Sequence, residues 1–337
     1  MSVFLDKNKF LNIFKNTIPL IGIILLILII WNIGLSKIID TFLKIHPMLI
    51  FFSALLTIPR ILIRNQQWQL ILKNQKIKIT YLKSLKIYLI GYFYATITPG
   101  YLGTIIKAPY VKDETDEPIG KIFSNFFILS FINTFPLYIF AFFGSIVLIN
   151  YNVNIFYITI SVLIFVILFY GFFIKKERGE MFFLFLYKIL FLKKLKKIYN
   201  KFTITFYDDF PEIKKLITPF FLSVICWIII YSQIYLLGLS LNIEIPYIDF
   251  LLIYPIANLV ALIPITAGGL GTREATLIFL FSFYGVSPEI AVVLSLSGHL
   301  ITDVLTGLYG LIISFSDLRI KKIFFPSKNS KIIDDER

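Results

Sequence analysis

Long apolar runs alternate with short polar or basic stretches along the chain, and the runs are too long for soluble helices. A helix rises about 1.5 Å per residue, so crossing a hydrocarbon layer about 30 Å thick takes about 20 apolar residues. Six runs predict membrane-crossing helices: 18–34, 48–63, 122–149, 154–174, 217–239 and 288–315. Two further apolar stretches, 85–111 and 250–284, are interrupted by Thr98-Pro99-Gly100-Tyr101-Leu102-Gly103-Thr104 and by Thr266-Ala267-Gly268-Gly269-Leu270-Gly271-Thr272. Glycine and proline both work against a continuous helix, so neither stretch predicts a single straight span. The first run follows Lys7, Lys9 and Lys15 and mimics a secretory signal. It continues into Trp31-Asn32-Ile33-Gly34 with no small-residue cleavage pattern, and is read as a retained span.

Composition moves the picture further from water. Of the 337 residues, 58% are apolar, 17% aromatic and only 16% charged, where soluble domains carry about 25%. The surplus apolar surface must face lipid. The single cysteine, Cys226, lies in an apolar run and cannot form an intrachain disulfide. A net charge of +13 would suggest nucleic acid in a soluble chain, but here it reads as topology, because cytoplasmic loops carry excess Lys and Arg. Residues 64–86 hold six basic residues and no acid, and residues 175–215 hold eleven basic against five acidic, which places both inside. The connections 150–153 and 240–249 have no basic residue and belong outside, while six basic residues after 316 put the C-terminus inside with the N-terminus. Parity then requires 85–111 to enter and return on the inner side and 250–284 to do so from the outer side. The alternative, two full crossings at 250–265 and 272–284, needs a span of only 13 residues.

The halves are related. Gly100-Tyr-Leu-Gly103-Thr104 and Gly268-Gly-Leu-Gly271-Thr272 share the pattern G-x-L-G-T at an offset of 168, which also carries 48–63 onto 216–231 and 122–149 onto 290–317. Because the halves start on opposite sides, this predicts an inverted repeat, 18–149 and 154–315, within one membrane domain spanning 1–337, with a basic cytoplasmic tail at 316–337. Transporters built this way place their sites at the repeat interface near the midplane.

Gly268-Gly-Leu-Gly271-Thr-Arg273-Glu274-Ala275, then Tyr284-Gly-Val-Ser-Pro and Asp303-Val-Leu-Thr-Gly-Leu-Tyr-Gly310, resemble the C-terminal signature of the lysylphosphatidylglycerol synthase transmembrane family, also called the flippase-like or UPF0104 family. Arg64-Asn-Gln-Gln-Trp68 and Thr98-Pro99-Gly100-Tyr-Leu-Gly103 are similar to its N-terminal elements, and the likeness covers roughly residues 10–316. The chain departs from it with Thr104 where a glutamate is common and Ala267 where a proline is common. The resemblance implies lipid handling: in bifunctional relatives this region moves aminoacylated phospholipid between leaflets while a separate soluble domain makes it. Only 22 residues follow 315 here, and no G-x-S-x-G, H-E-x-x-H, P-loop or Asp-x-Asp motif is present.

Irregular backbone survives at membrane depth only where protein or a wet cavity satisfies it, so each glycine-rich break should line a cavity. Helices restarting at Thr104 and Thr272 would turn free N–H groups and positive dipole ends toward an anion, with Lys107 and Arg273 beside them. The expected substrate-binding set is therefore Thr98, Pro99, Gly100, Gly103, Thr104, Lys107, Gly268, Gly269, Gly271, Thr272, Arg273 and Glu274. The competing reading is that the glycines only let helices pack closely, with Arg273 and Glu274 paired at an interface. His299 and Asp303 stand one turn apart in mid-span, either as proton-coupling groups or as a bonded pair stitching the helix to Arg273 or Asn258. Arg60 and Arg64, at the cytoplasmic end of the second span, are expected to snorkel to lipid phosphates. Residues 182–201 predict an amphipathic basic helix on the inner surface.

The sequence thus predicts an all-α polytopic membrane protein, about six transmembrane helices plus two re-entrant broken helices, lying in the cell membrane. The function expected is flippase-like transport of an anionic or phosphate-linked lipid, phospholipid or polyprenyl-linked. The alternative is a membrane component or partner of a glycosyltransferase acting on polyprenyl-linked sugar. No enzyme activity, cofactor, metal or nucleic-acid partner is expected. The expected partners are membrane lipids and a lipid-modifying or glycosyltransferase protein.

Overall fold

A computed structural model describes residues 22–189, 196–263, 266 and 269–316, and the described residues contain helices and no strand. The stretch before Gly22, the tail after Ser316 and Gly268 lie outside them, as do Lys193 and Lys194 of the predicted surface helix.

Among the described residues five helices are long and apolar enough to cross a membrane: Pro47–Asn74, Ile119–Val147 (α7), Val153–Ile174 (α8), Ile213–Ser240 and Pro288–Phe315. The first joins α3 (Pro47–Leu55) to α4 (Thr57–Asn74), and the fourth consists of a short 3-10 turn and α11 (Ile217–Ser240). The fifth is α14 (Pro288–His299), a π turn (Leu300–Val304) and α15 (Leu305–Ser316). The predicted first span is a bent pair, α1 (Gly22–Ile33) and α2 (Leu35–Leu43), 85° apart. Gly34 sits at the bend with φ +96°, which a side chain would resist. The second span runs on to Asn74, past its predicted end at 63. The residues that prolong it, Gln67, Trp68, Ile71 and Leu72 among them, are buried against protein and need no continuous apolar run.

Both interrupted stretches are hairpins. α5 (Tyr81–Thr96) is followed by a 3-10 helix (Pro99–Ile106) and α6 (Lys107–Thr115), and α12 (Tyr247–Ala261) is followed by α13 (Thr272–Ser282). Lys83 at the start of α5 is ion-paired with Glu114 at the end of α6 (2.5 Å). Asp249 at the start of α12 accepts a hydrogen bond from Tyr284, just past α13 (2.9 Å). Each hairpin therefore begins and ends on one face of the bundle.

The faces are opposite. On the first, Asn74 at the end of α4 donates to the Lys215 carbonyl at the start of the α11 span, and Lys121 at the start of α7 binds Asp209. On the second, the His46 N–H before α3 donates to Ser240 at the end of α11, and Tyr151 after α7 stacks on Phe283 after α13. The order span, hairpin, span runs α4, α5–α6, α7 and then α11, α12–α13, α14–α15.

Two buried clusters hold the helices together. One groups α11, α12, α13 and α14 around Phe250, Tyr254 and Phe281, and the other groups α4–α7 around Trp68, Ile90 and Ile122. Close backbone contact fits them together: a Cβ at Gly144 would fall 2.1 Å from the Leu252 carbonyl oxygen, and one at Gly310 2.0 Å from that of Leu89. By contrast α8 carries many exposed apolar side chains, Phe165 and Leu168 among them. At the surface, the predicted helix 182–201 falls on two helices, α9 (Lys176–Ile189) and α10 (Lys196–Phe206), and α10 packs on α7 where Gly120 meets Phe202 and Thr205.

Candidate functional site

A cavity of about 370 Å³ lies among α4, α5, α6, α7, α11, α12, α13 and the α14–α15 span. It is at mid-depth: Arg60 is near the centre of the 28-residue span Pro47–Asn74, and Asp303 near the centre of Pro288–Phe315. Four cationic side chains line it, Arg60 and Arg64 from α4, Lys107 from α6 and Arg273 from α13.

Arg60 and Arg64 correct the sequence expectation. They are only 3% and 8% exposed and bond within the protein, because α4 continues past them for nearly three more turns and leaves no helix end at which to snorkel. The Arg60 guanidinium donates to the Thr302 carbonyl (2.6 Å) and the Thr306 hydroxyl (2.7 Å), while its buried Nε has no hydrogen-bond partner among the described residues. Arg64 donates to Asn133 (2.7 Å), Ser223 (2.9 Å) and Gln67 (3.1 Å) and lies 5.7 Å from the ring centre of Trp227. These partners are all neutral, so the hydrogen bonds place both charges without cancelling them.

Lys107 is held by aromatic faces. Its ammonium lies 5.3 Å from the ring centre of Trp68 and 5.1 Å from that of Phe126, a geometry that stabilises a cation without neutralising it. Gly91 makes room for the lysine stem, since a Cβ there would fall 2.3 Å from Lys107 Cγ. Arg273 differs in having a carboxylate. Its Nη2 is 3.6 Å from Glu274 Oε1, and its Nε donates to Ser295 (2.9 Å), which itself donates to Glu274. Glu274 is fully buried and accepts the N–H of Gly271.

That last bond corrects a second expectation. The N-terminus of α13 carries its own carboxylate, so its positive end is already answered by Glu274. In the first hairpin no helix restarts at Thr104. The 3-10 helix begins at Pro99, after Thr98, and runs directly into α6. The Thr98 hydroxyl accepts the Gly103 N–H (2.7 Å) and donates to the Tyr94 carbonyl (2.8 Å), and a Cβ at Gly103 would fall 2.0 Å from that same oxygen. Thr98, Gly103, Gly269, Gly271 and Thr272 thus build the hairpins. Gly269 and Gly271 have φ of +75° and +85°, and the Thr272 hydroxyl bonds the Gly269 carbonyl. Pro99 and Gly100 form the first turn of the 3-10 helix. Of the expected binding set, Thr104, Lys107 and Arg273 reach the cavity.

His299 and Asp303 also line it. His299 Nδ1 is 2.9 Å from Asp303 Oδ2, and Tyr92 of α5 donates to Asp303 Oδ1 (2.6 Å). The pair is tied to α5 rather than to Asn258, which bonds Tyr231. It sits on a π turn, a distortion that recurs at functional sites. Sequence reasoning missed Tyr92, Phe126 and Trp227. They lie in uniformly apolar runs where nothing in the spacing singles them out. Among the described residues no group of three or more His, Cys, Asp and Glu side chains could hold a metal ion.

The family model described as Lysylphosphatidylglycerol synthase TM region matches residues 19–310. A UPF0104 membrane protein of Methanocaldococcus jannaschii is 27% identical over 327 residues, covering 90% of this chain and 95% of its own. One from Pyrococcus horikoshii is 22% identical over 315 residues, covering 86% and 92%. A shorter match, 26% over 113 residues and 34% of this chain, is to a UPF0104 membrane protein of Methanothermobacter thermautotrophicus, of which it covers 32%.

Proposed function

Because the chain belongs to the lysylphosphatidylglycerol synthase TM-region family of membrane proteins, we propose that it moves an anionic or phosphate-linked lipid between leaflets by taking the head group into the central cavity. One observation carries this reading: four buried cations converge on one mid-depth cavity, and among the described residues only Arg273 is paired with a carboxylate. Charge at the bilayer centre is costly and persists where it serves a pathway or a ligand. In low dielectric an anionic head group would gain more from these side chains than it does from water, and the apolar part of the lining, Leu137, Ile230 and Ile234 among it, suits the adjoining glycerol or isoprenoid segment.

Supporting this, two hairpins that enter from opposite faces meet around the cavity, each contributing a cation, Lys107 from one and Arg273 from the other. In the proposed cycle the hairpins and the α14–α15 span open the cavity to each leaflet in turn, and the acyl or prenyl chain stays in lipid. His299 and Asp303 are retained as candidate coupling groups for that motion.

Reconstitution into liposomes tests it. Labelled phospholipids and polyprenyl phosphates should cross faster than in protein-free liposomes, and the gain should disappear in Arg64→Gln and Lys107→Gln. Equal rates with and without protein for every lipid would reject the reading.

A further inference from the structure

The charge around the cavity does not balance. Among the described residues Arg60, Arg64, Lys107 and Arg273 stand against two carboxylates, Asp303 in the cavity wall and Glu274 beside Arg273, so the cations outnumber the carboxylates by two. Glu274 serves Arg273, and Asp303 is held by His299 and Tyr92. The remaining positive charge lies on Arg60, Arg64 and Lys107, whose protein partners are neutral hydrogen-bond acceptors and aromatic rings.

A buried ion needs a counter-charge, because unpaired charge in low dielectric is expensive. A bound anion that matches this site therefore brings two negative charges into one compact group. A phosphodiester head group such as phosphatidylglycerol brings one. A phosphate monoester brings about 1.5 to 2 at neutral pH, since its second ionisation lies near pH 6. A diphosphate also brings at least two. Donor geometry points the same way: a monoester presents three free oxygens, and guanidinium and ammonium groups arriving from α4, α6 and α13 approach from three elements.

Resting on the transport reading above, we infer that the preferred ligand of this cavity is a lipid ending in a dianionic phosphate, a monoester or a diphosphate, and not a phosphodiester phospholipid. Asp303 then lowers the excess of cations over carboxylates from three to two.

The test is competition binding to the purified full-length protein in detergent, with phosphatidic acid and phosphatidylglycerol of identical acyl chains, a prenyl diphosphate, and inorganic phosphate. Phosphatidic acid and the diphosphate should bind at least about tenfold more tightly than phosphatidylglycerol, the scale of one additional charge contact in a partly buried site. Asp303→Asn should widen the gap between diphosphate and diester, and Arg64→Gln should narrow it. Should a variant not fold, the wild-type ranking decides by itself. Equal affinity for phosphatidic acid and phosphatidylglycerol, or preference for the latter, overturns the inference and leaves lipid transport standing. If inorganic phosphate competes as well as phosphatidic acid, the dianion preference stands and the lipid reading falls. Binding of none of the four overturns both.

Discussion

Arg60 on α4 donates to the backbone carbonyl of Thr302 at 2.6 Å, inside the one π turn among the described residues. A charged side chain thereby holds the most irregular turn of the α14–α15 span against the centre of α4. The same guanidinium reaches the Thr306 hydroxyl one turn later. Arg60→Met should leave the π turn without its clamp. A hydrogen bond from a charged donor contributes about 1.5–3 kcal/mol, and a loss on that scale should appear as a lower unfolding temperature in detergent. Arg60→Lys keeps the charge but not the fork, so it should fall between wild type and Arg60→Met.

Glu274 answers both Arg273 and the first turn of α13. Removing one member of a buried pair strands the other, typically at about 3–5 kcal/mol. Glu274→Gln should therefore lower folding yield and thermal stability more than Asp303→Asn does. A Glu274→Gln protein as stable as wild type would show that α13 does not depend on this carboxylate.

Close packing makes a contrast between two glycines. At Gly310 a Cβ would lie 2.0 Å from the Leu89 backbone oxygen, whereas at Gly171 none of the described residues lies within 4 Å. Gly310→Ala should push α15 off α5 and destabilise by about 1–3 kcal/mol. Gly171→Ala, in the interior of α8, should be neutral or stabilise by up to about 1 kcal/mol. Thermal denaturation of the two single variants side by side measures the difference.

Topology has a chemical readout. In a Cys226→Ser background, Asp116→Cys should react with an impermeant maleimide from the side opposite to Asp249→Cys or Ser287→Cys. The Lys83–Glu114 and Asp249–Tyr284 contacts close the two hairpins on opposite faces. The basic stretch 64–86 is expected on the cytoplasmic side, so Asp116→Cys should be reached from there. Labelling of all three positions from one side would turn a hairpin into a crossing and separate Lys107 from Arg273.

Acid should loosen the face that carries Asp209. Hydrogen bonds from Lys76 and Lys121 hold its carboxyl below the usual aspartate range. The folded value is lower than the unfolded one, so the contribution is present above the unfolded pKa of about 3.9 and fades as pH falls through the lower folded value. Stability measured between about pH 5 and pH 2 should therefore drop less in Asp209→Asn than in wild type.

What the sequence determined by itself was set by solvent. Apolar runs such as 122–149 and 217–239 have no favourable place but lipid, so the spans were legible within a few residues of Ile119–Val147 and Ile217–Ser240. Proline and glycine at 98–104 and 266–272 act on the local backbone, so both breaks were legible too, as were Lys107 and Arg273 beside them. Tertiary structure decided the rest, because the properties concerned belong to pairs. Nothing local tells that Arg60 and Arg64 face Thr302 and Asn133 instead of lipid, since burial of a charge depends on which helix covers it. Nor does spacing show that the dipole of α13 is spent on Glu274, or that the first hairpin continues as a 3-10 helix through Thr104. The four cations lie far apart along the chain, and only the meeting of two hairpins with α4 and the α14–α15 span places them around one cavity, where they outnumber the carboxylates by two among the described residues.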